Sequence, residues 1–140
     1  MRIRSICTIA TVLALAGAIG VSSAIAQADD LKATIPFDFY AAGKLFPAGT
    51  YRVSQESPGT LRLHQDEGKK SAYLMVAARE TARGSKDQSW LVFHQYGNMS
   101  FFAGAYWSGS SASLTVPVSR TEQQIAKNQG QPNPVTLAAK

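Results

Sequence analysis

From residue 34 to residue 118 apolar and polar residues alternate in short runs, and each run stops at a cluster rich in glycine, proline, asparagine, aspartate or serine. A period of two places successive side chains on opposite faces of a strand, and breaks this frequent leave no room for a helix of ordinary length. The chain is thereby confined to an all-β fold. Ile35, Phe37 and Phe39 share one side of the first run, while Thr34, Pro36, Asp38 and Tyr40 share the other. Asp38 is therefore expected to face solvent, away from both rings, and no second acid stands at a spacing that would pair with it for acid–base work. Pro36 donates no backbone hydrogen bond, so this strand is expected at an edge or interrupted there.

Turn chemistry divides the rest. Residues 41–44 turn the chain, and 46–49 lead into a strand with Tyr51 and Val53 on one face and Arg52 and Ser54 on the other. Pro58-Gly59 fits a type II turn. Leu61 and Leu63 alternate with Arg62 and His64, and residues 66–68 close a further hairpin. The run 71–80 carries Tyr73, Leu74, Met75 and Val76 on both faces, the pattern of a central strand. After a polar loop over 81–88, residues 90–96 and 101–107 read as a hairpin on a Gly97-Asn98 type II′ turn, with Gly104 marking a bulge or a close backbone approach. Residues 108–113 read as a linker and 114–118 as a last strand. The expectation is a single antiparallel β-sandwich or small β-barrel of about seven strands. Ser119-Arg120-Thr121-Glu122 is a capping box opening a short C-terminal helix, anchored by Ile125 and Ala126 and ended by Gly130 and Pro132. A flexible tail is expected to follow.

The N-terminus reads as a signal peptide. Arg2 and Arg4 precede an apolar run over 6–19, and Ala24 and Ala26 form the A-x-A pattern of a cleavage site. The organisation expected is a signal peptide over 1–26, a β-domain over 27–118, and a helix with disordered tail over 119–140. Export, to the periplasm or beyond, follows as the expected localisation, with no membrane span left after cleavage. Cys7 lies inside the leader, so the mature chain has no thiol and stands on its core without disulfides. About 112 residues remain, enough for one such core. The formal charge of +5 falls to +3 once Arg2 and Arg4 are lost, and the basic residues form no stripe, which argues against a nucleic-acid partner.

Motifs of chemistry are missing. There is no nucleophile elbow, S-x-x-K pair, P-loop or dinucleotide fingerprint. A metal site would need both histidines, His64 and His94, together with a carboxylate such as Asp38 or Glu80. His64 is instead expected to face solvent beside Arg62, and His94 to be hydrogen-bonded next to the aromatic cluster. No catalytic residue, cofactor or metal is expected. Aromatic residues concentrate over 90–107. With Gly97 and Asn98 as the loop, Phe93 faces Phe102, Trp90 faces Ala105 and Trp107 faces Gln88. Trp90 is expected to be buried and Trp107 partly exposed, which makes Tyr106 and Trp107 the candidate binding surface. The function expected is that of an exported, non-enzymatic β-domain acting by contact with a cell-envelope component or partner protein. The alternative is a small carrier holding an apolar ligand in a barrel cavity, and a closed barrel would favour it.

"IPFDF", "LFPAGTYRV", "GKKSAYL" and "LVFHQYG" together resemble an uncharacterised family of small secreted bacterial β-domain proteins, over residues 33–107. The resemblance implies a secreted β-domain and supplies no catalytic residue. "FPAGTYRV" is also similar to a turn-plus-strand step of transthyretin-like and collagen-adhesin B-type sandwich modules.

Overall fold

The computed structural model describes residues 30–81 and 87–140. The leader expected over 1–26, Cys7 with it, and most of the loop expected over 81–88 lie outside the described residues. In chain order the strands are β1 (Leu31–Ile35), β2 (Phe39–Ala41), β3 (Lys44–Phe46), β4 (Gly49–Ser57), β5 (Thr60–Gln65), β6 (Ser71–Met75), β7 (Ala78–Thr81), β8 (Ser89–Tyr96), β9 (Met99–Tyr106) and β10 (Ala112–Thr115). Helix α1 (Arg120–Gln129) and a last strand, β11 (Asn133–Ala139), complete them.

Two sheets form a sandwich that does not close into a barrel. One runs β1-β4-β5-β6, and the other runs β11-β8-β9-β10-β7, with the β2–β3 hairpin attached to β9 through the parallel pair Tyr40–Phe101. The sheets meet at two corners. At one, Lys32 N donates to Lys140 O at 2.7 Å and Lys140 N returns a bond to Lys32 O at 2.9 Å. At the other, β6 bends through Val76 and Ala77 into β7, so one strand serves both sheets.

The core lies between them and follows the alternation. Leu31, Ala33 and Ile35 point inward with Tyr51, Val53, Leu61 and Leu63 from the same sheet. Phe39 is fully buried at their centre, stacked on Phe46 at 5.5 Å and edge-on to Tyr51 and Phe93 at 5.1 and 5.4 Å. Burying a side chain of this kind contributes about 1.5–3 kcal/mol. A second buried layer lies on the other face of β8 and β9. There Tyr96, Phe101 and Tyr106 are enclosed without belonging to the core cluster. Helix α1 is tied to this face through Glu122, which bonds His94 and Tyr96 of β8.

Several expectations are corrected. The described residues hold eleven strands where about seven were expected, because the first and longest runs are each broken in two and two further strands, β3 and β11, form in segments read as a turn and a tail. The tail expected to be disordered forms β11 instead, pairing β8 over its whole length with Ala139 buried. Its pattern is weak by composition, and Pro134 suits an edge strand. Helix α1, by contrast, stands where the capping box places it, spans 10 residues and is capped at Gly130. Gly59 lacks the positive φ that a type II turn requires, and a register irregularity between Gln55 and Ser57 takes up the twist instead. The run 71–80 is not central, since β6 and β7 are each the last strand of their sheet. Apolar residues on both faces have the same composition whether the second face is covered or left open.

The Gly97-Asn98 turn is as expected, with positive φ at Gly97 only, the II′ pattern. Phe93 faces Phe102, but a bulge at Ala103 moves the remaining register by one, so Trp90 faces Tyr106 rather than Ala105.

Candidate functional site

The expected surface at Tyr106 and Trp107 is not where the open apolar area lies. Tyr106 is completely buried: its ring stacks on Trp90 at 4.0 Å and its hydroxyl donates to Ser110 O at 3.0 Å. The bulge at Ala103 is the cause, since it brings Tyr106 directly opposite Trp90. Trp90, expected to be buried, is half-buried, as is Trp107. Trp107 lines a hollow of about 470 Å³ whose other walls are largely serine and charged residues.

The apolar opening lies elsewhere, where β6 faces β2 and the β10–α1 connection. It is a groove of about 290 Å³. Tyr73, Leu74 and Met75 form one wall, and the stacked rings of Tyr40 and Phe101, 5.2 Å apart, form the other. Val116, Pro117 and Val118 close one end. Pro117 cannot continue the β10 ladder, and Val116 N stays with β9 by donating to Ala103 O at 2.9 Å. The connection therefore leaves β6 uncovered. A second hollow of about 320 Å³ lies past the start of β6, between Lys44, Leu45 and Phe46 on one side and Lys69, Lys70 and Ser71 on the other. Lys70 Nζ crosses it to donate to Leu45 O at 3.1 Å. Tyr73 is 63 % exposed and Met75 74 %. With Leu45 and Val118 they are the exposed large apolar residues of the described chain, and all four line these two hollows.

The inner end of the groove holds the buried carboxylate of Glu122. Ser119 caps α1 as the sequence indicates, its hydroxyl accepting from Glu122 N at 3.1 Å. The Glu122 side chain, however, turns inward rather than back to the cap. Its Oε1 lies 2.7 Å from His94 Nδ1 and accepts from Tyr96 OH at 3.3 Å. A carboxylate acceptor at that distance selects the imidazole form that carries its proton on Nδ1. Burial, then the Glu122 charge and its hydrogen bond, pushes the Tyr96 phenol above its ordinary range. These three groups satisfy one another, and the Ser119 hydroxyl is engaged at the cap. The arrangement fixes α1 on β8 and leaves the groove apolar in character.

The remaining sequence candidates are placed as follows. Asp38 is exposed and accepts from Ala48 N at 2.8 Å. His64 is half-buried rather than solvent-facing, its Nδ1 without a hydrogen-bond partner, as is Arg62 Nε on the same strand. The nearby charges neutralise one another: Asp66 bonds Lys32 at 2.6 Å and Arg52 at 2.8 Å. The Lys32 hydrogen bond, with Arg52 beside it, holds the Asp66 carboxyl below the usual carboxylate range. Among the described residues no group of three or more histidine, cysteine or acidic side chains is placed to hold a metal ion. No helix among them is long and apolar enough to cross a membrane. The groove was missed in the sequence because its walls come from four separated segments. One signal was present, the two-faced apolar pattern of 71–76. Comparison of the chain with protein-family models, with curated proteins and with solved structures returned no match.

Proposed function

We propose that the chain is an exported, non-enzymatic β-domain that works by contact with a partner protein or another component of the cell envelope, and that its contact face is the groove beside β6. The observation that carries this reading is the gathering of all four exposed large apolar side chains around two hollows that flank β6, three at the groove and Leu45 at the hollow past its start. Single exposed apolar residues are common on any surface, whereas a cluster rimmed by polar residues marks an interaction site. The lysines at one end supply that rim. The leader-like N-terminus supports export. The mutual satisfaction of Glu122, His94 and Tyr96 supports a structural rather than a catalytic use of the buried polar groups. A sandwich that does not close into a barrel weighs against the carrier alternative, which calls for a barrel cavity.

A photo-crosslinking residue placed at position 73 in the exporting cell tests the reading. The expected result is a discrete adduct from position 73, lost in Met75→Ser, with none from exposed position 136 on β11. Equal adducts from both positions would overturn the choice of face. Recovery of the protein with residues 1–26 intact in the cytoplasm would overturn export.

A further inference from the structure

We propose that β6 binds an extended peptide as an added antiparallel strand, with the peptide's apolar residues in the groove and its acidic C-terminal end among Lys44, Lys69 and Lys70. This rests on the contact reading above and specifies the chemistry of the partner.

The hydrogen-bond phase of β6 is the first support. Gln65 N donates to Lys70 O and Val76 N to Gly59 O, each at 2.9 Å. In an antiparallel ladder the residues that exchange bonds alternate. The backbone groups of Lys70, Ala72, Leu74 and Val76 therefore point to β5, and those of Ser71, Tyr73 and Met75 point to the open side. Sheet edges are normally guarded against pairing by charge, proline or cover. The other edges here are guarded. β1 is joined to Lys140, β3 begins with Lys44, β7 carries exposed Arg79 and Glu80, and β11 carries Pro134. β6, with sequence SAYLM, has no such guard within it.

Side-chain positions then select the ligand. Residues of an added strand point to the same face as the residues they oppose. Those opposite Ala72 and Leu74 enter the groove toward Phe102, and those opposite Tyr73 and Met75 lie against exposed apolar surface. Both sets are best apolar. Beyond Ser71 the lining of the second hollow contains three lysines and no carboxylate, so the end of the peptide that reaches it is acidic. Antiparallel pairing, the rule throughout this sheet, makes that the C-terminal end. A second copy pairing antiparallel through its own β6 would bring the residues that follow Met75, Val76-Ala77-Ala78-Arg79, to this hollow, and none of them is acidic, so it fits the edge less well.

The test is fluorescence anisotropy of a labelled synthetic peptide of alternating valine and threonine ending in a run of glutamate, titrated with protein purified from the exporting cell. Main-chain bonds supply the affinity in this mode, so a generic sequence of the right pattern suffices. Binding is expected, falling with added salt. It should weaken by about tenfold when the peptide nitrogens on its β6-facing edge are methylated, and likewise in the double variant Lys69→Glu, Lys70→Glu. Equal binding of the methylated peptide would overturn strand addition, while loss of binding in Tyr73→Ser would still leave the contact reading standing. No binding of the unmodified peptide overturns the proposal. So does concentration-dependent dimerisation abolished by Met75→Arg, which would assign the edge to a second copy.

Discussion

Asp38 stands outside the ring cluster, and its carboxylate holds Ala48 N while Tyr51 OH donates to Pro47 O at 2.6 Å. Together the two side chains clamp the connection from β3 to β4, a role the alternation alone does not show. An amide keeps the acceptor, so Asp38→Asn is expected to change stability by no more than about 0.5 kcal/mol. Asp38→Ala should cost about 1 kcal/mol, and Phe39→Ala about 3–5 kcal/mol as a core truncation. Phe37 is half-buried with an edge-on contact to Phe93 at 5.2 Å, and its alanine variant should fall between them. Denaturant melts give the ranking, and an Asp38→Asn as costly as Phe39→Ala would require a charge-dependent role for Asp38. Tyr96 offers a second test. Its folded pKa is raised, so on titration the unfolded chain loses the phenolic proton first. The stability this contributes is complete below about pH 10, the ordinary tyrosine value, and is lost as pH rises through the folded value. Glu122→Gln removes the charge and should move the Tyr96 ionisation down, read as tyrosinate absorbance. An unchanged titration would mean burial alone sets it.

At the scale of elements, two positions report on how strands are joined. A Cβ at Gly104 would run into the backbone carbonyl of Leu114, so β9 and β10 approach as closely as they do only because residue 104 has no side chain. Gly104→Ala should destabilise by about 1–3 kcal/mol, the usual cost of overpacking. A neutral result in thermal melts would mean the strands separate freely. The β2–β3 hairpin turns through Ala42 and Gly43, both at positive φ, +49° and +73°. That is the type I′ pattern, for which asparagine-glycine is preferred, and an alanine in the left-handed region costs about 1–2 kcal/mol. Ala42→Asn should therefore stabilise by about 1 kcal/mol. If it destabilised, the side chain at the groove rim would be packed rather than open.

Across the whole molecule, the sandwich depends on both corners, and one is made by the last residues of the chain. Val135 and Leu137 of β11 pack against the core, Ala139 is buried, and Lys140 joins β1. Deleting residues 131–140 should cost about 4 kcal/mol or more, from lost apolar burial at about 1.5–3 kcal/mol per large side chain together with the lost ladder. Circular dichroism melts of the truncated chain check this. A melting temperature unchanged from that of the full chain would mean the segment is a tail after all.

The all-β class, the Gly97-Asn98 hairpin, the inward set Ile35, Phe39, Tyr51, Val53, Leu61 and Leu63, the cap at Ser119 and a bonded His94 were legible in the sequence. Each depends on interactions within a few residues, or on a period of two that a local window reveals. What the tertiary structure alone decided is which strand lies beside which. The bulge at Ala103 buries Tyr106, β11 gains its order from β8, Glu122 leaves its cap for His94, and the apolar wall at Tyr73 and Met75 stands open because β6 ends its sheet and Pro117 does not extend β10 along it. The local hints, Gly104 beside the bulge and the two-faced apolar pattern of 71–76, do not fix these outcomes. Each depends on contacts between residues far apart in the chain, where the same alternating pattern serves equally for a covered strand and an open edge.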